Sequence, residues 1–296
     1  MRLGSGPILV TGGSGQLARA LEAQAGERTL LRVGRPKFDF DLPEAIPPLL
    51  DSIAPALVVN AAAYTAVDQA ENDREAAWRA NCEGPGVIAQ WCAKARVPLI
   101  HISTDYVFDG LKGAPYVEDD PTAPTGVYGA SKLAGEHAVQ TAGAVAIILR
   151  TSWVYAASGK NFVLTMLNAA RKTNRLRVVA DQRGCPTLAA DLADAILAIA
   201  DRLAEEGWNA EWGGIYHAAG SGETTWHGFA QAIFAEAARH GLPRPEVEAI
   251  TTQDWPTPAR RPPDSRLDCG KLFRTFGLRL PPWEESLART IDTILA

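Results

Sequence analysis

The stretch that most constrains this chain lies close to its start. Pro7-Ile8-Leu9-Val10-Thr11 is a short apolar, β-favouring run that breaks into Gly12-Gly13-Ser14-Gly15-Gln16-Leu17-Ala18 and continues as Arg19-Ala20-Leu21-Glu22-Ala23-Gln24, a helical composition. Glycines in such a turn permit positive φ and close backbone approach. The helix start after them offers unpaired N–H groups and the positive end of its dipole to a pyrophosphate. The spacing Gly12-x-x-Gly15-x-x-Ala18 departs from G-x-G-x-x-G, but the strand before it and the helix after it supply the context that a dinucleotide turn needs.

The rest of the first half repeats the alternation. Thr29 to Arg35 is expected as a second strand beside the first, and Ala56 to Ala63 is a continuous apolar run suited to a strand buried on both faces. Asp73 to Cys92 reads as helix with an interruption at Gly84-Pro85-Gly86. Pro98 to Thr104 is another central strand, Gly113 to Thr125 a long polar loop, and Val145 to Arg150 a further core strand. These predict an α/β fold, a doubly wound parallel (Rossmann) sheet over residues 1–155, with 185–220 returning to it. Residues 156–184 and 221–296 are assigned to a smaller α/β substrate-binding domain.

Composition narrows the partners. With 296 residues, 47% of them hydrophobic, the chain can bury one large core and a smaller one. The 29 basic and 34 acidic residues give a net charge of −5 without runs of one sign, so no nucleic-acid partner is expected. Cys82, Cys92, Cys185 and Cys269 are scattered, which suits reduced thiols and a cytoplasmic location. Neither an export signal nor a membrane span is read.

The candidate chemistry centres on Val127-Tyr128-Gly129-Ala130-Ser131-Lys132. On a helix, the i,i+4 spacing puts Tyr128 and Lys132 on one face, where an ammonium lowers a phenol pKa from about 10 toward working pH and makes a usable proton donor. The other reading is a surface pair, the ring packed and the lysine solvated. Thr104, at the carboxyl end of a central strand, is placed to reach a substrate. Gly34-Arg35 stands where an acidic residue would select NAD. It suits a 2′-phosphate, against a solvated arginine as the alternative.

Gly12-x-x-Gly15-x-x-Ala18, Asn60-Ala61-Ala62-Ala63, Ser103-Thr104-Asp105 and Tyr128-x-x-x-Lys132, in this order, resemble the extended short-chain dehydrogenase/reductases. Within that superfamily, Ala61 to Glu71, Ser103 to Gly110, Tyr128 to Glu136, Arg150 to Tyr155, Asp181 to Thr187 and the tail from Arg261-Pro262 through Phe276-Gly277 look like the dTDP-4-dehydrorhamnose reductase family. The resemblance implies NADPH- or NADH-dependent reduction of a sugar-nucleotide C4 ketone, with Tyr128 as proton donor. Lys132 tunes that tyrosine and holds the nicotinamide ribose, and Thr104 bonds the carbonyl oxygen.

It further implies Gly12, Gly15, Gln16 and Leu17 at the cofactor pyrophosphate, Asp39 and Phe40 at the adenine, and Ala62, Ala63 and Thr65 toward the nicotinamide. Asp105, Tyr106 and Trp153 are implied against the sugar; Trp153 reads equally as domain-junction core and Asp105 as a turn former. Lys160, Arg171, Arg183, Arg260 and Arg261 are the cations on offer to the substrate's diphosphate. Some such reductases are dimers with magnesium held by glutamates. Ala190 stands here just after Pro186-Thr187, so the sequence supports no metal and leaves monomer or homodimer open. An epimerase or dehydratase of the same superfamily is the nearest rival, disfavoured because Asp105-Tyr106 follows Thr104 where dehydratases carry Asp-Glu. A non-catalytic cofactor-binding regulatory subunit is disfavoured by the survival of Thr104, Tyr128 and Lys132.

Overall fold

The computed structural model describes residues 3–296. The first half runs β1 (Ile8–Thr11), α1 (Gln16–Ala23), β2 (Leu30–Val33), α2 (Ile46–Ile53), β3 (Leu57–Asn60), α3 (Val67–Ala70), α4 (Arg74–Trp78), α5 (Gly84–Ala95), β4 (Leu99–Thr104), α6 (Val127–Thr141) and β5 (Ala146–Thr151). The second half adds β6 (Val154–Tyr155), α7 (Phe162–Ala170), β7 (Arg175–Val179), β8 (Arg183–Gly184), β9 (Thr187–Leu188), α8 (Ala189–Glu206) and β10 (Gly214–His217). It closes with β11 (Thr224–Thr225), α9 (Trp226–Ala238), β12 (Glu246–Ile250), α10 (Gly270–Phe276) and α11 (Trp283–Leu295).

Six strands form one parallel sheet in the order β2-β1-β3-β4-β5-β10. Every residue of β3 is buried, which is why its sequence is an unbroken apolar run ending in one polar residue. Leu17 and Leu21 of α1 and Leu192 and Ile196 of α8 cover one face; Leu50 of α2, Ile88 and Cys92 of α5 and Val139 of α6 cover the other. The sheet is doubly wound, as expected. The chain steps from β1 to β2 at one edge and then crosses to β3 on the opposite side of β1. The carboxyl ends of β1 and β3 therefore flank the crevice where such folds bind ligands.

Three local expectations are corrected. Gly84-Pro85-Gly86 does not interrupt its helix: Arg74 to Ala95 is continuous, with a π turn at Arg79–Glu83. Pro85 has no N–H to give the Asn81 carbonyl one turn earlier, so the irregularity falls there. That carbonyl meets α6 at Gly135, where a Cβ would sit 2.0 Å from it, so only glycine permits the approach. Second, β12 lies in what reads as a Pro-rich connection and pairs in parallel with all of β7; Pro243 and Pro245 immediately before it hide the strand.

Third, residues 270–280 were expected in the smaller unit. Leu272, Phe276 and Leu280 instead join the core of the large sheet, where Phe276 packs 5.3 Å from Tyr216 of β10. The returning strand needs a cover, and the i,i+4 pair Leu272 and Phe276 supplies it. A separate core, with Val163 of α7, Phe229 and Ile233 of α9 and Leu287 of α11, holds the remainder.

Candidate active site

A cavity of about 1080 Å3 opens at the switch point. Beneath it, buried polar groups of three neighbouring strands are tied together. The Thr11 hydroxyl donates to Asn60 Oδ1 (2.6 Å) and accepts from the Ala62 N–H (3.1 Å), while the Asn60 amide lies 3.0 Å from His101 Nδ1. Gly12, at φ 92°, turns the chain beneath Ala61; a Cβ there would lie 2.9 Å from the Ala61 carbonyl. Gly12, Gly15, Gln16, Leu17, Ala62, Ala63 and Thr65 line this end of the cavity.

The opposite wall is α6 laid against β4. Glu71, distant in sequence, fixes the helix start by accepting the Val127 N–H at 2.8 Å. Tyr128 in the first turn lines the cavity beside Thr104, whose hydroxyl donates to Asp105 Oδ1 at 3.1 Å and accepts from the Tyr106 N–H at 3.2 Å, and the Tyr106 ring stands edge-on to Tyr128 at 5.5 Å. One turn on, Lys132 also lines the cavity and is buried, its Nζ donating to the Ile102 carbonyl at 2.6 Å. A further turn on, Glu136 is fully buried, gripped by Arg150 through Nε (2.9 Å) and Nη2 (2.6 Å) and by Ser103 Oγ (2.5 Å). Helix and strand are thus locked in register around Tyr128 and Thr104.

The electrostatics correct one expectation. Burial pushes the Tyr128 phenol up to about 12, with the neighbouring Thr104 hydroxyl opposing, so the phenol is protonated at neutral pH. In the free chain, where its Nζ is bonded to the Ile102 carbonyl, Lys132 is not among the groups that move it; burial pushes Lys132 itself down to about 8, Glu136 opposing. Next door, burial pushes the Asp105 carboxyl up to about 7, opposed by nearby Ser265 and by the Thr104 hydroxyl, which donates to Oδ1 at 3.1 Å, and its Oδ2 has no partner among the described residues.

Arg35, Asp39 and Phe40 lie at the far end. Arg35 is exposed there and pairs with Asp39 (2.8 Å) and Asp41 (2.5 Å), and Asp41 also holds Arg79 at 3.0 Å. Of the cations expected at a substrate diphosphate, only Lys160 lines the cavity; Arg171, Arg183 and Arg260 do not, and Arg261 is engaged by Asp68 at 2.6 Å. Trp153 satisfies both of its readings. It lines the cavity, and its indole stacks on Trp226 with centroids 3.5 Å apart. Its φ of 47°, unusual for a bulky residue, is held by that stacking.

The crevice thus has a glycine turn at one end and a wall of Thr104, Tyr128 and Lys132 at the other. The family model described as RmlD substrate binding domain matches residues 6–296. A dTDP-4-dehydrorhamnose reductase of Sinorhizobium fredii is 47% identical over 289 residues, covering 97% of each chain. The chain belongs to the dTDP-4-dehydrorhamnose reductase family. A crystal structure from Clostridium acetobutylicum bearing that family name superposes with a TM-score of 0.91 at 34% identity, over 98% of this chain and 100% of the other. A Bacillus anthracis member, solved in complex with NADP, gives 0.88 at 32% identity, over 99% and 100%.

Sequence reasoning missed several residues that shape this family member's site. Asn60 ends one apolar strand and His101 interrupts another, a signal that was available; a polar group there is tolerated only when it is bonded. Asn81 accepts from the Tyr64 N–H (2.8 Å) and donates to Ser131 Oγ (3.0 Å), joining α6 to the loop after β3. Nothing in its neighbours marks it. Among the described residues no group of three or more His, Cys, Asp or Glu side chains converges as an ion site, and no helix is long and apolar enough to cross a membrane.

Proposed function

We propose that this chain reduces the C4 ketone of dTDP-4-dehydro-L-rhamnose to dTDP-L-rhamnose, using NADPH or NADH. The observation that carries the reading is that Thr104 and a protonated Tyr128 stand side by side at the wall of a cavity whose other end is a glycine turn. The turn fits a dinucleotide: Gly12 packs its backbone against Ala61 where no side chain would fit, and Gly15 N–H folds back on the Gly12 carbonyl at 2.7 Å, opening the start of α1. In this reading Gly12, Gly15, Gln16 and Leu17 hold the pyrophosphate, Asp39 and Phe40 the adenosine, and Ala62, Ala63 and Thr65 the approach to the nicotinamide. When bound, the dinucleotide supplies a hydride.

The chain's own residues do the rest. Thr104 and Tyr128 hydrogen-bond the ketone oxygen, and Tyr128 gives that oxygen its proton as negative charge develops on it. Lys132 holds the ribose and its positive charge favours the tyrosinate left behind, which solvent reprotonates. Asp105, Tyr106 and Trp153 bound the sugar, the indole suiting the apolar side of a deoxyhexose. A monomer or homodimer in the cytoplasm belongs to the same reading, supported by four cysteines that are all unpaired.

The test is to follow NADPH and NADH oxidation with enzymatically generated dTDP-4-dehydro-L-rhamnose and identify the product. Stoichiometric oxidation with appearance of dTDP-L-rhamnose is expected. Conversion of the sugar without net cofactor oxidation would point to an epimerase or dehydratase instead.

A further inference from the structure

The loop from β6 to α7, residues 156–161, closes over the glycine turn. Asn161 caps α7 by accepting the Leu164 N–H at 3.0 Å, and its amide donates to Gln16 Oε1 at 2.9 Å and to the Ala156 carbonyl at 2.8 Å. Gly159, at φ 88°, brings the backbone so near that a Cβ would lie 3.4 Å from Gln16 Cγ. Gln16 is the first residue of α1, where the unpaired N–H groups begin. The loop is thus fastened on one side to the helix that receives a pyrophosphate and on the other to α7, whose Val163 and Leu167 belong to the second core.

Lys160 stands on this loop, exposed, and lines the same cavity as Gly13, Ser14 and Gly15. The other basic groups around that cavity are engaged. Arg32 pairs with Glu22, Arg35 with Asp39 and Asp41, and Lys132 is bonded to the Ile102 carbonyl; Lys160 has no such partner among the described residues. Two phosphates seated at the start of α1 would face N–H groups from one side only. A flexible ammonium on the loop above supplies the missing countercharge.

We propose that Lys160 binds the pyrophosphate of the dinucleotide cofactor and not the diphosphate of the sugar nucleotide. The inference rests on the dinucleotide reading above and adds a residue to it.

The test is Lys160→Met, with Lys160→Arg as the charge-keeping control, titrated calorimetrically with NADPH, NADH, ADP-ribose and adenosine 2′,5′-bisphosphate. Lys160→Met is expected to weaken the three pyrophosphate-containing ligands alike, by about tenfold, since a hydrogen bond to a charged group is being removed. The bisphosphate, which keeps only one of the two linked phosphates, should be weakened less than these three. Lys160→Arg should restore most of the loss, and KM for the sugar nucleotide should stay within about twofold. Unchanged dissociation constants for all three ligands, or a raised sugar-nucleotide KM with unaltered cofactor binding, would overturn the assignment. Failure of the unsubstituted chain to bind NADPH at all would instead count against the dinucleotide reading itself.

Discussion

Lys132 Nζ lies 2.6 Å from the carbonyl oxygen of Ile102, on the strand that also presents Thr104. The ammonium proposed to serve the nicotinamide ribose is therefore held, in the free chain, by the backbone of the substrate wall. Glu136 faces it from one turn along the same helix, and His101, buried and held neutral, faces it from β4. Burial lowers the affinity of Lys132 for its proton, and Glu136 partly restores it.

The sign of the resulting pH dependence follows. Below about 8 Lys132 is charged and favours the tyrosinate left after proton transfer; above it the charge is lost. The rate of the chemical step should fall as pH rises through about 8, on an alkaline limb set by Lys132 and not by Tyr128, which sits up near 12. A pH profile of single-turnover rates checks this. A flat profile to pH 10 would contradict it.

Replacing Tyr128 by Phe removes the proton donor while keeping the ring that packs beside Tyr106. General acid catalysis is worth roughly 10²–10⁴ in rate, so kcat should drop by about that factor with NADPH binding changed by less than about threefold. Rapid-mixing rates and a fluorescence titration separate the two quantities.

Arg150 and Glu136 form a bidentate pair in which both side chains are essentially inaccessible. Removing one partner leaves an uncompensated buried charge, and Arg150→Met is expected to cost about 3–5 kcal/mol of folding stability. Chemical denaturation measures it. The double variant Arg150→Met/Glu136→Leu should recover part of that loss, because neither charge is then left alone.

Asp105 offers a second stability test. Its folded pKa of about 7 lies above the ordinary carboxylate value of 3.8, so the folded chain holds a proton there that the unfolded chain has released. The neutral carboxyl favours folding fully below about pH 4, and this contribution is lost as pH rises through about 7. Asp105→Asn mimics the neutral acid. It should melt above the unsubstituted chain at pH 8, the gap closing toward pH 4; calorimetric scans at the two pH values decide it.

Much of this was legible in the residues. Parallel strands buried on both faces write themselves as apolar runs, so β1, β3, β4 and β5 were readable, and the glycine turn fixed which crevice matters. All the residues expected at the cofactor and sugar converge on one cavity. What was hidden depends on distant partners. Nothing near Arg35 announces that Asp41 ties it to Arg79, and nothing near Lys132 announces the Ile102 carbonyl that holds it. Spacing reported that Tyr128 and Lys132 share a helix face, but burial, which no spacing encodes, moves the tyrosine pKa upward instead of down.

The Arg35 pairing has its own consequence for cofactor choice. Because Asp39 and Asp41 already neutralise the guanidinium, discrimination between NADPH and NADH should be weak. Asp41→Asn frees part of that charge and should raise the NADPH-to-NADH ratio of kcat/KM by about threefold to tenfold, in line with the modest worth of exposed ion pairs. Parallel kinetics with the two cofactors measure the ratio.

The central claim is that a hydride is delivered to the sugar's C4 carbon while Tyr128 protonates the oxygen. NADPH deuterated at the transferable position of the nicotinamide, incubated with the chain and dTDP-4-dehydro-L-rhamnose, tests it directly. One deuterium at C4 of dTDP-L-rhamnose, seen by NMR and mass spectrometry, is the expected result. A product sugar without deuterium, formed while the label stays on the cofactor, would contradict the account.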